Sequence, residues 1–130
     1  MSQGQMIGYA RVSTQGQNLD NQNSKLIEYG CQKLFAEKFT GKDKNRAQLN
    51  AALDYVREGD ALIVTKLDRL ARSAVDLGKI AEQLQQKRVD LVVLDQDINT
   101  TTPTGKLMFT MIGAFAEFER NIIKKRQLEG

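Results

Sequence analysis

The chain contains no histidine. That single absence removes Ser-His-Asp triads, histidine-ligated metals and histidine general bases together. Any chemistry must run on Ser, Asp, Glu, Lys, Arg, Tyr or Cys. The one cysteine, Cys31, excludes an internal disulfide and points to a reducing compartment. Followed by Gln-Lys-Leu-Phe, it reads as a small buried filler rather than a reactive thiol. No apolar run approaches the ~20 residues of a membrane span. Met1-Ser2-Gln3-Gly4-Gln5 has neither the basic start nor the apolar stretch of a signal peptide. Internal repeats, low-complexity tracts and linkers are also lacking.

What is present fits one globular domain of 130 residues, 41% hydrophobic and 27% charged. The net charge of +3 tolerates a polyanionic partner without demanding one. Strand-like and helix-like stretches alternate, which predicts a layered α/β fold. Residues 6–12 (MIGYARV) read as a strand, 18–29 as a helix stopped by Gly30, and 33–38 as a weaker strand. A polar loop over 40–45 leads to a helix over 46–57 with Leu49, Ala52, Leu53 and Val56 on one face. The apolar runs at 61–65 (ALIVT) and 89–94 (VDLVVL) predict strands covered on both faces. Between them, 75–87 carries Leu77, Ile80, Ala81 and Leu84 at helical spacing. After a turn over 99–104, Thr102 as cap and Pro103 at the first helical position open a long helix to about Leu128, roughly 39 Å at 1.5 Å per residue. Its apolar residues, including Leu107, Met111, Phe115, Phe118 and Ile123, form two adjacent stripes, wide enough for a partner subunit as well as the domain's own core. The expected architecture is three-layer α/β/α, with a mostly parallel sheet of four to five strands and a long C-terminal helix.

In open α/β sheets the working residues gather beyond the carboxyl ends of the parallel strands. Three segments fall there: Tyr9 to Thr14, the helix start at Arg46, and Lys66 to Ser73. Together they bring Ser13, Asp68 and the guanidinium groups of Arg11, Arg46, Arg69 and Arg72 towards one rim. Guanidinium forks match phosphate oxygens in pairs and keep their charge near neutral pH. Arginines so arranged would stabilise the extra negative charge of a phosphodiester under attack by an alcohol, and a serine among them is a candidate nucleophile. Each piece also has a plainer reading. Ser13-Thr14 is a possible turn or cap, Arg69 and Arg72 a solvated helix face, and Arg11 the outward side of an edge strand. Arg46 opens a helix, where positive charge is mildly unfavourable, a hint of another purpose. A rival site is the Asp95-Gln96-Asp97 triplet, which with Glu37 would hold Mg²⁺ for metal-dependent phosphoryl transfer, or would simply close its strand.

The motifs together resemble those of the serine recombinase family of resolvases and DNA invertases. GYARVSTQGQNLDNQ (8–22) resembles its N-terminal signature, with the serine of R-V-S, and KLDRLARS (66–73) its second motif. REGD (57–60) is similar to the lead into that strand. TTTPTGKLMF (100–109) and AFAEFERNII (114–123) are similar to the start and middle of its long helix. The likeness runs from about Met6 to Arg126, and the succession of linked motifs along the chain makes it specific.

The resemblance implies a site-specific DNA recombinase catalytic domain that needs no metal or other cofactor. Ser13 would attack the scissile phosphate and leave a 5′-phosphoserine link and a free 3′ hydroxyl. Arg11, Arg69 and Arg72 would bind and activate that phosphate, joined by Arg46, while Asp68 would orient arginines or assist proton transfer. Tyr9, Gln17, Gln22, Lys66 and Arg120 would line the site and contact substrate. The implied partners are DNA, a second copy through the long helix as a homodimer, and a tetramer during strand exchange, with no membrane. The bacterial cytosol or nucleoid is the implied location. The implied division is a resolvase-like core over 1–102 and a truncated oligomerisation helix over 103–130, with the helix-turn-helix DNA reader of small family members expected to be absent, as in a catalytic-domain fragment. Three positions depart from the family pattern: Lys125 where an acidic residue is common, and Arg88 and Ala71 where glycine is frequent. Two other readings stay open: the metal-dependent phosphotransferase built on Asp95 and Asp97, and a non-catalytic oligomerisation module.

Overall fold

A computed structural model describes residues 4–13, 19–39, 46–71, 73–96 and 98–129. Strands β1 (Met6–Ser13), β2 (Lys33–Phe39), β3 (Ala61–Val64), β4 (Asp90–Val93) and β5 (Ile98–Asn99) form one sheet in the order β2-β1-β3-β4-β5. The first four run parallel, and β5 pairs antiparallel with β4 through Val92–Asn99 and Val93–Ile98. Helices α1 (Leu19–Tyr29), α2 (Ala47–Tyr55), α3 (Leu67–Leu70), α4 (Ala74–Lys87) and α5 (Pro103–Glu129) complete the fold.

Alternation along the strands divides the core into two layers. Ile7 and Tyr9 of β1, Leu62 and Val64 of β3, and Leu91 and Val93 of β4 pack with Leu49, Ala52 and Leu53 of α2 and Leu77, Ile80 and Leu84 of α4. Ala10, Ile63 and Val92 point the other way and meet Leu26 of α1. Each such fully buried aliphatic side chain contributes roughly 1.5–3 kcal/mol. The chain steps outward from β1 to β2, then back past β1 to β3 and β4, so right-handed crossovers put α1 on one face and α2 and α4 on the other. The expected α/β/α layering and mostly parallel sheet are therefore present.

Three features of the sequence reading are refined. The turn expected over 99–104 begins inside the two-residue strand β5, and the segment after β3 holds a single helical turn, α3, before returning to extended backbone at Ala71. The helix expected over 46–57 is shorter, because Val56 is already extended. Lys87 of α4 closes that end by donating from Nζ to the Leu53 carbonyl at 2.6 Å.

Two of the motifs are structural. Asp60 of REGD is buried, and its carboxylate accepts from the backbone N–H groups of Gln5 (2.8 Å) and Arg57 (2.9 Å), tying the turn to the start of β1. Thr100 Oγ1 accepts from the Leu91 N–H at 2.7 Å, and Thr102 Oγ1 caps α5 by accepting from the Gly105 N–H at 3.1 Å. A Cβ at Gly105 would stand 1.9 Å from the Asn99 carbonyl oxygen, so this close approach of helix and strand requires glycine.

Candidate active site

The strand order reverses between β1 and β3, and ligands of open α/β sheets bind beyond the carboxyl ends at such a reversal. Ser13 is the last residue of β1, paired with Phe39 of β2. Two residues earlier, buried Arg11 is held on three sides. Its N–H donates to Gln22 Oε1 (3.2 Å), its carbonyl accepts from Gln22 Nε2 (3.0 Å), and its Nη2 donates to the Asp68 carbonyl (2.7 Å). Gln22, on α1, thus spends its amide on the β1 backbone, and Arg11 joins β1 to α3. The α3 turn is fixed further by the Leu67 N–H donating to Gln96 Oε1 at 2.8 Å and by burial of Leu70 and Ala71. This leaves Lys66 and Asp68 exposed and Arg69 half-buried at the rim. Lys66 and Arg69, with Lys25, Gln22, Thr65 and Asp95, line an open depression of about 310 Å³.

Tyr9 is fully buried, so it meets the rim through Glu37, to which its hydroxyl donates at 2.6 Å. Burial, then the hydrogen bond to Glu37 and the charge of that carboxylate, raise the phenol well above its ordinary range. Arg11 and Arg46 oppose this in smaller measure, so the net shift keeps Tyr9 a neutral donor. Glu37 also accepts from the Gln48 (3.3 Å) and Leu49 (3.2 Å) N–H groups in the first turn of α2. One carboxylate therefore seats the helix that begins beside Arg46, whose position at the start of α2 has no side-chain cap of its own.

Arg46 does not stand open to solvent. Its Nη1 and Nη2 donate to Asp76 Oδ2 and Oδ1 at 2.6 and 2.8 Å, a two-pronged pair from α2 to the first turn of α4. The hydrogen bonds to Asp76 raise the guanidinium above its ordinary value, more than burial lowers it. Sequence reasoning missed Asp76. Its visible signal is Ser73-Ala-Val-Asp76, the spacing of a helix cap, and Ser73 Oγ does accept from the Asp76 N–H at 3.1 Å. Nothing in that spacing says where the carboxylate goes.

Of the other site residues read from sequence, Gln17 and Arg72 lie outside the described residues, as do the side chains of Ser13 and Arg120. The two described members of the rival metal triad, Glu37 and Asp95, do not come together. Glu37 sits on β2, three strand places from β4, roughly 14 Å at the usual strand spacing. Asp95 pairs with Lys25 at 3.2 Å, and Asp97 lies outside the described residues. Among the described residues, no group of three or more Cys, Asp or Glu is placed to hold a metal. Cys31 packs beside Leu26 and Leu34, and burial pushes its thiol up to about 11, as a filler rather than a nucleophile requires. No described helix is long and apolar enough to cross a membrane.

The family model described as Resolvase, N terminal domain, matches residues 6–130. The Tn501 resolvase of Pseudomonas aeruginosa is 44% identical over 131 residues, covering 98% of this chain and 69% of the relative. The Tn552 DNA-invertase BinR of Staphylococcus aureus is 41% identical over 126 residues, covering 95% and 66%. The chain thus spans about two thirds of the length of these relatives. Among solved structures, a resolvase family site-specific recombinase from Streptococcus pneumoniae superposes with a TM-score of 0.73 at 27% identity, covering 98% of this chain and 95% of that one. The N-terminal catalytic domain of TP901-1 integrase gives 0.72 at 27% identity, with 91% and 98% covered. With a family model spanning nearly the whole sequence and relatives above 40% identity, this chain belongs to the resolvase N-terminal domain family, the catalytic domains of serine recombinases.

Proposed function

We propose that this domain cuts and rejoins DNA at specific sites through Ser13, without a metal. The Ser13 hydroxyl oxygen attacks the scissile phosphorus, the bond from phosphorus to O3′ breaks, and the departing O3′ takes up a proton as the serine loses its own. The product is a 5′-phosphoserine bond and a free 3′ hydroxyl, and attack by a 3′ hydroxyl on that bond reverses the step and rejoins a strand. Because a phosphodiester is exchanged for another phosphodiester, no external energy source is needed.

The observation that carries this reading is the clamp on Arg11. A buried arginine is fixed through its backbone by Gln22 and through its guanidinium by the Asp68 carbonyl, two residues before Ser13 at the strand reversal. Such a group contributes a charge whose position needs no reorganisation as the transition state forms. Arg69 and Arg72 supply further phosphate contacts from the next segment, with Asp68 orienting them. Arg46, Lys66, Gln17 and Arg120 complete the substrate surface, and Tyr9 supports it from below through Glu37. The direct test is the rate of strand cleavage by Arg69→Lys and Arg72→Lys. Net charge is kept but the fork is lost, so a loss on the order of 10²-fold is expected. A near-normal rate would reduce these arginines to general attraction for DNA.

DNA is the partner this chemistry requires, and a second copy of the chain is the other. The exposed apolar residues Leu107, Met111, Phe115, Phe118 and Ile123 of α5 support pairing through residues 103–130, with the core over 1–102 holding the chemistry and tetramers forming for strand exchange.

A further inference from the structure

We propose that Asp76 is a positioning residue for this reaction, holding the Arg46 guanidinium at the rim by its Nη edge so that the Nε edge is presented to a DNA phosphate. The inference rests on the phosphate-binding reading of Arg46 given above.

An arginine at the N-cap of a helix, as Arg46 is for α2, is free to sweep a wide arc, and ordering such a side chain on binding is costly. Here the arc is already closed. Both terminal nitrogens are taken by one carboxylate at 2.6 and 2.8 Å, and the two side chains are only 20% and 18% exposed. A guanidinium has five N–H donors in a planar fork. Pairing through Nη1 and Nη2 leaves the Nε–H and an outward Nη–H on the adjacent edge, the two-pronged pattern that matches a phosphate. Asp76 is placed by its own helix. Its N–H is held by Ser73 Oγ at 3.1 Å, so the carboxylate starts from a fixed point in the first turn of α4. Ser73 directly follows Arg72, and Glu37 seats the other end of the link by capping α2. Asp76 therefore ties the segment carrying Arg69 and Arg72 to the one carrying Arg46. Asp76 and Arg46 both line an open groove of about 410 Å³ between α2 and α4, together with Leu49, Leu53, Asn50 and Gln83. A carboxylate placed only to balance charge would not need both oxygens on one arginine.

The test is nuclear magnetic resonance of the arginine side chains in the chain itself, titrated with a short DNA duplex. In the wild type the Arg46 Nε–H signal should be sharp, because the held fork exchanges slowly, and should move when duplex is added. In Asp76→Asn one negative charge is gone, so overall duplex affinity should stay equal or tighten. The Arg46 signal should nonetheless broaden, and its duplex-induced shift should fall by roughly twofold or more as the fork is released. Asp76→Glu keeps the charge with a longer arm and should restore a sharp signal with an intermediate shift, which also guards against loss of fold in the amide variant. A full Arg46 shift in Asp76→Asn overturns the positioning role alone. No Arg46 shift in the wild type, with or without duplex binding elsewhere, overturns the phosphate reading of Arg46 and this inference with it.

Discussion

Removing the Tyr9 hydroxyl isolates the contribution of one buried contact. Tyr9→Phe keeps the ring in the core but strips Glu37 of its 2.6 Å donor, and should cost about 1–2 kcal/mol in urea unfolding near pH 7. Its pH dependence has a definite sign. The folded-state pKa is raised above the ordinary 10.0, so above pH 10 the unfolded chain ionises this phenol while the folded chain holds the proton. The stability it contributes is fully present below pH 10 and lost as pH rises further, so the gap between wild type and Tyr9→Phe should narrow there. A gap unchanged up to pH 11 would show that burial and Glu37 do not hold the proton on Tyr9. Arg88 makes the opposite case. It ends α4 in the left-handed conformation at φ 60° and ψ 45°, which glycine adopts without strain, and its contact with Glu58 at 3.7 Å is solvent-exposed. Arg88→Gly should therefore stabilise by about 0.5–1 kcal/mol, measured by thermal melting.

At the level of elements, the surroundings of α5 change along its 27 residues. Its first turns belong to the core: Phe109 is 3% exposed, and Gly105 packs against the Asn99 backbone. Further along, Phe115 and Phe118 are 56% and 60% exposed. Phe115→Glu or Phe118→Glu should leave the melting temperature nearly unchanged and shift sedimentation from self-associated species to monomer. Gly105→Ala should instead cost about 2 kcal/mol or more by overpacking. A wild-type chain that sediments as a strict monomer at high concentration would contradict pairing through α5. The apolar residues of α5 were visible in the sequence as two stripes, but periodicity alone did not say which of them faced the core. Likewise ALIVT and VDLVVL announced β3 and β4, because a strand covered on both faces must be apolar throughout. Strand β5 did not announce itself, since two residues carry no period, and neither did α3, one turn hidden in KLDRL. Arg11, Arg46, Arg69 and Arg72 were singled out in the sequence because like charges are rarely gathered without an anion to hold. The Arg46–Asp76 pair was not legible, because the partners are 30 residues apart and meet only through α2–α4 packing. Glu37 was noticed for the wrong reason, as a metal ligand. Three strand places from β4, it serves the phenol of Tyr9 and the start of α2 instead.

Over the whole chain the charge balance is mildly basic, 19 Lys and Arg against 16 Asp and Glu. With a net charge of +3, its DNA contacts should be mainly to phosphates, with dissociation constants on the order of 10⁻⁴ to 10⁻⁶ M near physiological salt. Affinity should fall steeply with salt and vary little between unrelated duplexes. Tight, salt-insensitive binding to one sequence would show base-edge reading by this domain itself. Catalysis through Ser13 turns on a single covalent bond. Denaturing electrophoresis of the chain with end-labelled duplex in excess EDTA, followed by mass mapping of any protein–DNA adduct, tests it most directly. The expected result is an adduct joining the 5′ phosphate of the cut strand to the peptide containing Ser13, with a free 3′ hydroxyl on the other fragment and no adduct from a folded Ser13→Ala protein. Linkage at another residue, a 3′-phosphate bond, cleavage that requires Mg²⁺, or substantial cleavage by Ser13→Ala would contradict it.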